Sequence, residues 1–523
     1  TYMDRFDKIS LRRGFWSRLL VLLFLTASPA EGLGQIPPDE AWRTLETAHF
    51  RVTYPDGMLD LARRAGERGE TAWTLLSERF VPGPKGKVDL LITDHVDDSN
   101  GYAQIFPSNR IVIYAPPPME GFGLAHTDEW MELVITHELV HIFHEDRARG
   151  LGGALRKVFG RIPAEWPFFP GSATPGWTVE GIATYFESAL TEAGRVRGSF
   201  HEMVLRTAVL EGAFEPIDRT SGDSQSWPGG QRAYIYGSLF LNHLVELHGE
   251  EAMGAFVEAV AGQWVPYRLN AASKSAFGVS FSDAWREWEQ GLATRYQTLK
   301  DSLSARGPLT VGETLTAEGY FALNALPEPE GERVAYARYD GRSDSQLRLF
   351  DPVTGESRKM TRSNGIASFT WMPGGDLLFS QSEYADSYRV WGDLFRLGSD
   401  GAEVRITRGQ RLDRPHVAPA GDRAVAVQGS GGTNRLVLVD VSDGSLHPLG
   451  EFEPQVHWGY PKWSPNGEWI AAARWTPGAN YDLVLLNGEG EELHRITRDR
   501  AIDSAPTWSP DGRWLLWSSD RSG

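Results

Sequence analysis

The spacing of apolar and polar residues divides the chain into two parts. Up to residue 303, short alternating runs predict strands, and longer runs with apolar residues three and four positions apart predict helices. HFRVTY (49–54) is a run of the first kind, and LARRAGERGETAWTLLSERF (61–80) is one of the second. Further strands are expected in KVDLLITD and RIVIYA, and further helices at 233–248 and 282–302. We therefore predict an α+β domain at 34–303.

A sequence repeat follows the linker expected at 304–319. PKWSPNGEWIAAAR (461–474) returns as PTWSPDGRWLLWSS (506–519). Equivalent prolines recur 44 to 46 residues apart, at Pro329, Pro373, Pro419, Pro465 and Pro510. A period of this length with four short strands per repeat is typical of an all-β propeller. The WSPDG segment (508–512) resembles the TolB-like propeller family, and the resemblance covers 321–523.

The repeats predict a propeller at 320–523 that has four full repeats and the start of a fifth. A propeller closes by bringing its first and last blades together, and it typically has about four to eight blades. We therefore expect the propeller in this sequence to be truncated. The predicted fold is multidomain, in agreement with a length of 523 residues, which is too long for one hydrophobic core.

The N-terminus indicates an exported protein. Three arginines precede the apolar run LLVLLFLTA (19–27), and small residues follow it up to Ala30. This order predicts a secretory signal peptide at 1–30. A membrane span needs about 20 apolar residues, so no stable span is expected after signal cleavage. Because the chain has no cysteine and therefore no disulfides, we expect a bacterial periplasmic or secreted protein.

Charge and composition exclude two kinds of function. The net charge is −17 and no block of lysine and arginine stands out, so nucleic acid is not expected as a partner. The absence of cysteine also excludes thiol catalysis and thiolate zinc ligands. Any metal site must therefore use histidine and carboxylate side chains.

One such site is indicated by ITHELVHIFHED (135–146), where His137, Glu138 and His141 follow the pattern His-Glu-x-x-His. Residues four apart lie on the same face of a helix, so the two imidazoles can bind one cation. Glu138 would lie beside the metal and could act on a bound water. The helix is expected to begin near Thr127 and to end by Gly150. Because the pattern alone also fits a solvated polar stripe, a third ligand is needed.

GWTVEGIATYFES (176–188) offers that ligand as Glu180 on an apolar helix pattern. This segment resembles the gluzincins, thermolysin-like metallopeptidases that include aminopeptidase N, in which a second helix supplies Glu within Trp-x-x-Glu-Gly-x-Ala. The resemblance covers about 41–303 and is closest to the peptidase-MA-like branch. The residues that match the gluzincin motif are Trp177, Glu180, Gly181 and Ala183.

The resemblance implies one Zn²⁺ per chain on His137, His141 and Glu180, with Glu138 as the general base of peptide hydrolysis. The 39-residue gap between His141 and Glu180 is longer than in the aminopeptidase branch, and its Gly- and Pro-rich residues predict a surface loop or a small lid. His144 is a rival ligand, but three ligands in a row on one helix cannot surround an ion tetrahedrally.

Two further residues near this site have more than one interpretation. Glu187 is interpreted as a solvated helix residue, with a contact to a ligating histidine as the alternative. Tyr234 precedes Gly237 by three positions, which resembles the element that supplies the transition-state tyrosine of aminopeptidase N. It is our candidate for that role, although a core aromatic residue is possible and Tyr236 competes with it.

The resemblance also implies a substrate-binding strand just before the motif helix. In gluzincins an edge strand at this place pairs with the substrate backbone, and RIVIYA occupies it here. A plain sheet strand is an equally good interpretation. The candidate substrate-binding residues are Arg110, Ile111, Val112, Ile113 and Tyr114.

The sequence therefore predicts an exported zinc metallopeptidase for peptide or protein substrates, fused to a propeller that binds substrate or a protein partner. Whether it is an endopeptidase or an aminopeptidase stays open. The alternative is a non-catalytic binding or scaffold protein that retains a structural metal domain.

Overall fold

The computed structural model describes residues 37–521 apart from 119–123, 125, 127, 128, 223–225, 309, 311, 318–320, 366, 367 and 479. The predicted signal peptide and the helix start predicted at Thr127 lie outside these residues. The described chain is multidomain, with a helix-rich N-terminal part followed by a series of antiparallel sheets. In the part of the chain that is described, no helix is both long and apolar enough to cross a membrane.

The N-terminal part contains a mixed five-stranded sheet with the order β1-β2-β3-β5-β4. The three inner strands are mutually parallel, and the two outer strands are antiparallel to their neighbours. Alternate side chains of the inner strands are buried in one hydrophobic core with the helices that pack on that face of the sheet. The strands are β1 (Trp42–Glu46), β2 (Phe50–Pro55), β3 (Val88–Thr93), β4 (Gly101–Gln104) and β5 (Arg110–Tyr114).

The position of β5 corrects the edge-strand prediction. This strand lies between β3 and β4 and pairs with both. Because the backbone groups of an inner strand are used by its two neighbours, β5 has no free edge for a substrate. On this side of the sheet the outer strand is β4, and β1 is the outer strand on the other side. The residues wrongly predicted to form the edge are Arg110, Ile111, Val112, Ile113 and Tyr114.

The described part of the chain contains ten α-helices, and one of them is buried almost throughout. That helix, α2 (Trp130–Glu145), begins where the Glu129 side chain accepts hydrogen bonds from the backbone N–H groups of Met131 and Glu132. It ends before Gly150, which instead begins α3. The others are α1 (Leu59–Arg79), α3 (Gly150–Phe159), α4 (Glu165–Phe168), α5 (Gly176–Leu190), α6 (Ser199–Leu210), α7 (Arg232–His248), α8 (Glu251–Ala261), α9 (Leu269–Phe277) and α10 (Phe281–Ser304).

The C-terminal part consists of four-stranded antiparallel sheets in which sequential strands are neighbours, and a fifth sheet with two described strands. The first sheet has β6 (Phe321–Pro327), β7 (Val334–Tyr339), β8 (Gln346–Phe350) and β9 (Ser357–Arg362). The second has β10 (Phe369–Trp371), β11 (Leu377–Tyr384), β12 (Val390–Leu397) and β13 (Glu403–Arg405). The third has β14 (Leu412–Val417), β15 (Arg423–Ser430), β16 (Thr433–Asp440) and β17 (Leu446–Pro448). The fourth has β18 (His457–Trp463), β19 (Trp469–Thr476), β20 (Asn480–Asn487) and β21 (Glu492–Arg495), and the fifth has β22 (Asp503–Trp508) and β23 (Leu515–Ser519).

These sheets are built as repeats of one unit. The recurring prolines lie in the turns between the first and second strands, so each sheet begins one strand before its proline. Four of the five first strands carry a register shift at the same place. Apolar clusters lie between successive sheets, as in the blades of a propeller. The residues with positive φ at these register shifts are Asn324, Arg414, Tyr460 and Ala505.

The two parts contact each other through the loop that leaves β3. Val96 forms an isolated parallel bridge with Val390 in the second sheet. Arg411 extends from the third sheet to Asp94 and Asp97, with nitrogen to oxygen distances of 2.6 and 2.7 Å. The same loop continues into β4. The C-terminal part therefore contacts the segment that leads directly into this outer strand.

Candidate metal centre

The two motif histidines lie on the buried face that α2 presents to α5. His137 is 6% exposed and His141 is 7% exposed. Their Nε2 atoms are 3.1 Å apart, as the four-residue spacing on one helix predicts. Imidazoles buried this deeply need polar partners, and the second helix supplies one.

Glu180 on α5 completes a group of three donor atoms. Its Oε2 atom lies 3.3 Å from His137 Nε2 and 3.5 Å from His141 Nε2. Donors bound to one tetrahedral zinc at about 2.0–2.1 Å are separated by roughly 3.3 Å, so the three atoms fit this ion. No other group of three or more such side chains able to hold a metal occurs among the described residues. Two histidines and one carboxylate are also the donor set of many catalytic zinc sites.

A pair of glycines brings α5 close enough to α7 to shape this site. A Cβ atom on Gly237 would lie 2.1 Å from the carbonyl oxygen of Trp177, and one on Gly181 would lie 2.6 Å from the backbone of Gly237. Neither contact is possible for a larger residue without moving a helix. Glu180 immediately precedes Gly181, and Tyr234 lies about one turn before Gly237, so the close approach of the two helices brings Tyr234 near Glu180.

Glu138 lies beside the donor group without being part of it. Its side chain is 5% exposed, and burial raises the pKa of the carboxyl group. A Cβ atom on Gly101 would lie 3.3 Å from Glu138 Oε1. The carboxylate therefore lies against the start of β4. The sequence interpretation missed β4, although Asn100 and Gly101 open a short strand immediately before β5.

Tyr234 reaches the site and Tyr236 does not. The Tyr234 ring stacks on His137 with 6.2 Å between ring centroids. Burial, and then the charge of Glu180, raise the pKa of its hydroxyl group, so the group stays protonated and can donate a hydrogen bond. Tyr236 is fully buried against Phe214, and its hydroxyl accepts the backbone N–H of Glu215. It is a core residue.

His144 follows His137 by seven residues on α2, about two turns further along the helix, and is not part of the donor group. It is fully buried, and burial lowers the pKa of its ring to about 3. Neither ring nitrogen has a hydrogen-bond partner among the described residues. His144 is therefore a buried neutral imidazole and not a ligand of the proposed site.

Glu187 corrects the interpretation of a solvated residue, because it is fully buried behind the donor group. Its Oε1 atom lies 2.5 Å from His137 Nδ1, and Arg195 Nε donates to its Oε2 atom over 2.9 Å. Burial opposes ionisation, but the charge of Arg195 outweighs it and lowers the pKa of Glu187 to about 2. An ionised carboxylate only accepts hydrogen bonds, so His137 carries its proton on Nδ1 and keeps the Nε2 lone pair for a metal.

The sequence contained a signal for Glu187 but none for Arg195. Glu187 follows Glu180 by seven residues, which is about two helical turns, so both must lie on one face of α5. Arg195 lies beyond the end of that helix, and only the fold of the chain after Leu190 brings its guanidinium back to the carboxylate.

Glu187→Gln is expected to weaken zinc binding roughly 10- to 100-fold, the usual effect of losing a carboxylate partner of a ligating histidine. The amide is nearly the same size but can no longer hold His137 in one tautomer by charge. The measurement is the zinc dissociation constant by chelator competition. Glu78→Gln, on the exposed face of α1, is the matched control, and an unchanged constant in Glu187→Gln would contradict the role.

Comparison with known proteins relates part of the chain to propellers. No family model matches the chain. A 186-residue segment is 26% identical to a Tricorn protease homolog of Saccharolobus solfataricus, covering 34% of this chain and 16% of that protein. A 133-residue segment is 24% identical to a TolB homolog of Chlorobium luteolum, covering 25% and 29%. A 40-residue segment is 45% identical to the Tol-Pal system protein TolB of Bordetella pertussis, covering 8% and 9%. The matches span less than a third of each relative.

Among solved structures, TolB from Acinetobacter baumannii matches with a TM-score of 0.31 at 20% identity, over 37% of this chain and 47% of that one. The putative TolB from Agrobacterium tumefaciens matches with a TM-score of 0.33 at 20% identity, over 39% and 77%. TM-scores this low do not establish a shared fold. From the sequence matches, this is a multidomain protein of which part is homologous to TolB-like β-propellers. None of these proteins is named as a zinc metallopeptidase, so the activity of the N-terminal part is a proposal.

Proposed function

We propose that this protein is an exported zinc metallopeptidase in which His137, His141 and Glu180 hold the ion. The observation that carries the proposal is the convergence of these three donor atoms to within 3.1–3.5 Å of one another. A structural zinc site would normally be closed by a fourth protein ligand, whereas three ligands leave a position for water or substrate.

Zinc in this site would supply Lewis-acid polarisation of a peptide carbonyl and a lower pKa for water. Glu138 takes the proton of the attacking water, since its burial makes the carboxylate a stronger base than it is in solution. Tyr234 donates a hydrogen bond to the oxygen that becomes negative in the transition state. The free edge of β4 holds the substrate backbone by strand addition beside Glu138.

The propeller is proposed to bind substrate or a protein partner. The partial homology to TolB proteins, one of which is named as part of a Tol-Pal system, supports both a partner-binding role and a periplasmic location. The same homology supports a second candidate function, in which the chain is a non-catalytic binding protein and the metal domain is structural.

Zinc analysis together with cleavage of a mixed peptide library tests the proposal. We expect one zinc per chain, and cleavage that stops when a chelator removes the metal and returns when zinc is restored. A protein that contains zinc but cleaves neither peptides nor unfolded proteins would support the binding function instead.

A further inference from the structure

The two parts of the chain enclose a cavity of about 430 Å³. On the N-terminal side it is lined by residues 97–99, which precede β4, and by three consecutive prolines at 116–118. On the propeller side its walls come from the second and third sheets. Three polar residues of this wall are exposed or half-buried, namely Asn364, Ser382 and Thr433. A volume of this size falls within the range of ligand-binding pockets in proteins.

The cavity lies at the N-terminal end of the free sheet edge. Ser99 lines it, and Gly101, two residues further, is the first residue of β4 and lies against Glu138. An extended chain advances about 3.4 Å per residue. A peptide paired with β4 therefore reaches the cavity within roughly two or three residues beyond Gly101.

Buried ion pairs hold the two walls together. The Arg411 side chain is 9% exposed, and it binds both oxygens of Asp94 at 2.6 and 2.8 Å and Asp97 at 2.7 Å. The second oxygen of Asp97 accepts the backbone N–H of Gly392 over 2.9 Å. Removing one partner from such a network leaves a largely buried charge unpaired, which is destabilising. The propeller therefore fixes the loop that leads into β4.

The lining suits a polypeptide. The Ser382 hydroxyl can donate to and accept from a peptide backbone. Asn364 and Thr433 already donate hydrogen bonds within the propeller, and their oxygens can accept from the backbone N–H groups of a peptide. The prolines at 116–118 offer an apolar wall for side chains. We propose that this cavity is a subsite for an extended polypeptide substrate that continues past the N-terminal end of β4. This proposal rests on the proposed function. The propeller then supplies part of the substrate-binding surface, and substrates long enough to reach it bind more tightly than short ones.

Ser382→Trp tests the subsite by filling it. Ser382 is an exposed residue of β11 that lines the cavity, whereas Glu138 and the metal ligands do not line it, so an indole at this position is expected to fill the cavity and leave the metal site intact. Ser399→Trp is the matched control, because Ser399 lies exposed in the turn between β12 and β13. Both changes are made in the full chain carrying Glu138→Gln and loaded with zinc, so that bound peptides are not cleaved.

The probes are fluorescein-labelled peptide libraries of about four and about ten residues, with binding measured by anisotropy. The Ser382→Trp change is expected to weaken binding of the longer library roughly tenfold, equivalent to about 1.4 kcal/mol, and to leave the shorter library unaffected. Ser399→Trp should change neither. Equal effects on both libraries, no effect of Ser382→Trp, or no difference in affinity between the libraries for the parent would each overturn the subsite.

The proposed function is tested separately. For this test the Ser382→Trp and Ser399→Trp variants are made with Glu138 intact, and cleavage of the shorter library is measured. Short-peptide cleavage that survives Ser382→Trp is expected. Absent cleavage together with length-dependent binding would reject the peptidase and keep the polypeptide subsite.

Discussion

Glu138→Gln is expected to leave zinc bound and to lower the turnover number by roughly two or more orders of magnitude, the usual contribution of a general base. The carboxylate lies outside the donor group, so its loss removes no ligand. Its replacement by an amide keeps the size of the side chain and the packing against Gly101, but the amide cannot accept a proton. The change therefore acts on the chemical step and not on the fold.

The measurement combines zinc content by mass spectrometry with single-turnover kinetics on a peptide that the wild type cleaves. Glu78→Gln, an identical change on the exposed face of α1, should leave both quantities unaltered. If the zinc-loaded Glu138→Gln variant cleaves at the wild-type rate, Glu138 is not the base and the mechanism must be abandoned.

Glu180→Ala is expected to yield a protein purified without zinc, whereas His144→Leu should keep a full equivalent. Glu180 supplies one of the three donors found among the described residues, and two histidines on one helix cannot by themselves surround a tetrahedral ion. His144 is 0% exposed and has no hydrogen-bond partner among the described residues. Leucine is of similar size and removes the cost of burying an unpaired polar ring.

We therefore expect the His144→Leu variant to unfold at the same denaturant concentration as the wild type or at a slightly higher one. Zinc content by mass spectrometry and unfolding followed by circular dichroism, on both variants, decide the matter. Loss of zinc from His144→Leu together with its retention in Glu180→Ala would reverse the ligand assignment.

Several features of this protein could be predicted from local sequence. Period 2 and period 3.6 patterns predicted β2, β3, α1 and α7 within a few residues, because these elements are specified by which of their faces is buried. The spacing of His137 and His141 followed from helix geometry alone. The recurring prolines revealed the repeated sheets, since each unit repeats its own turn chemistry along the chain.

Other features depended on contacts between residues far apart in sequence. Periodicity shows that β5 is apolar, but not that β4 folds back and covers its free side. Arg195 lies beyond the end of α5, and nothing local indicates that it neutralises Glu187. Strand order and buried ion pairs are properties of the assembled chain, so no window of sequence contains them.

The sequence by itself therefore determined the two-part organisation, the repeat and the residues able to hold a metal, because each depends on spacing along one helix or one repeated turn. Only the tertiary structure decided that β4 and not β5 is an outer strand of the sheet, which tyrosine faces the histidines, and that Arg411 ties the propeller to the loop before β4. The physical reason is that these three features depend on packing between elements, such as the approach of Gly181 to Gly237. The free energy of such packing arises only when segments distant in the sequence come into contact.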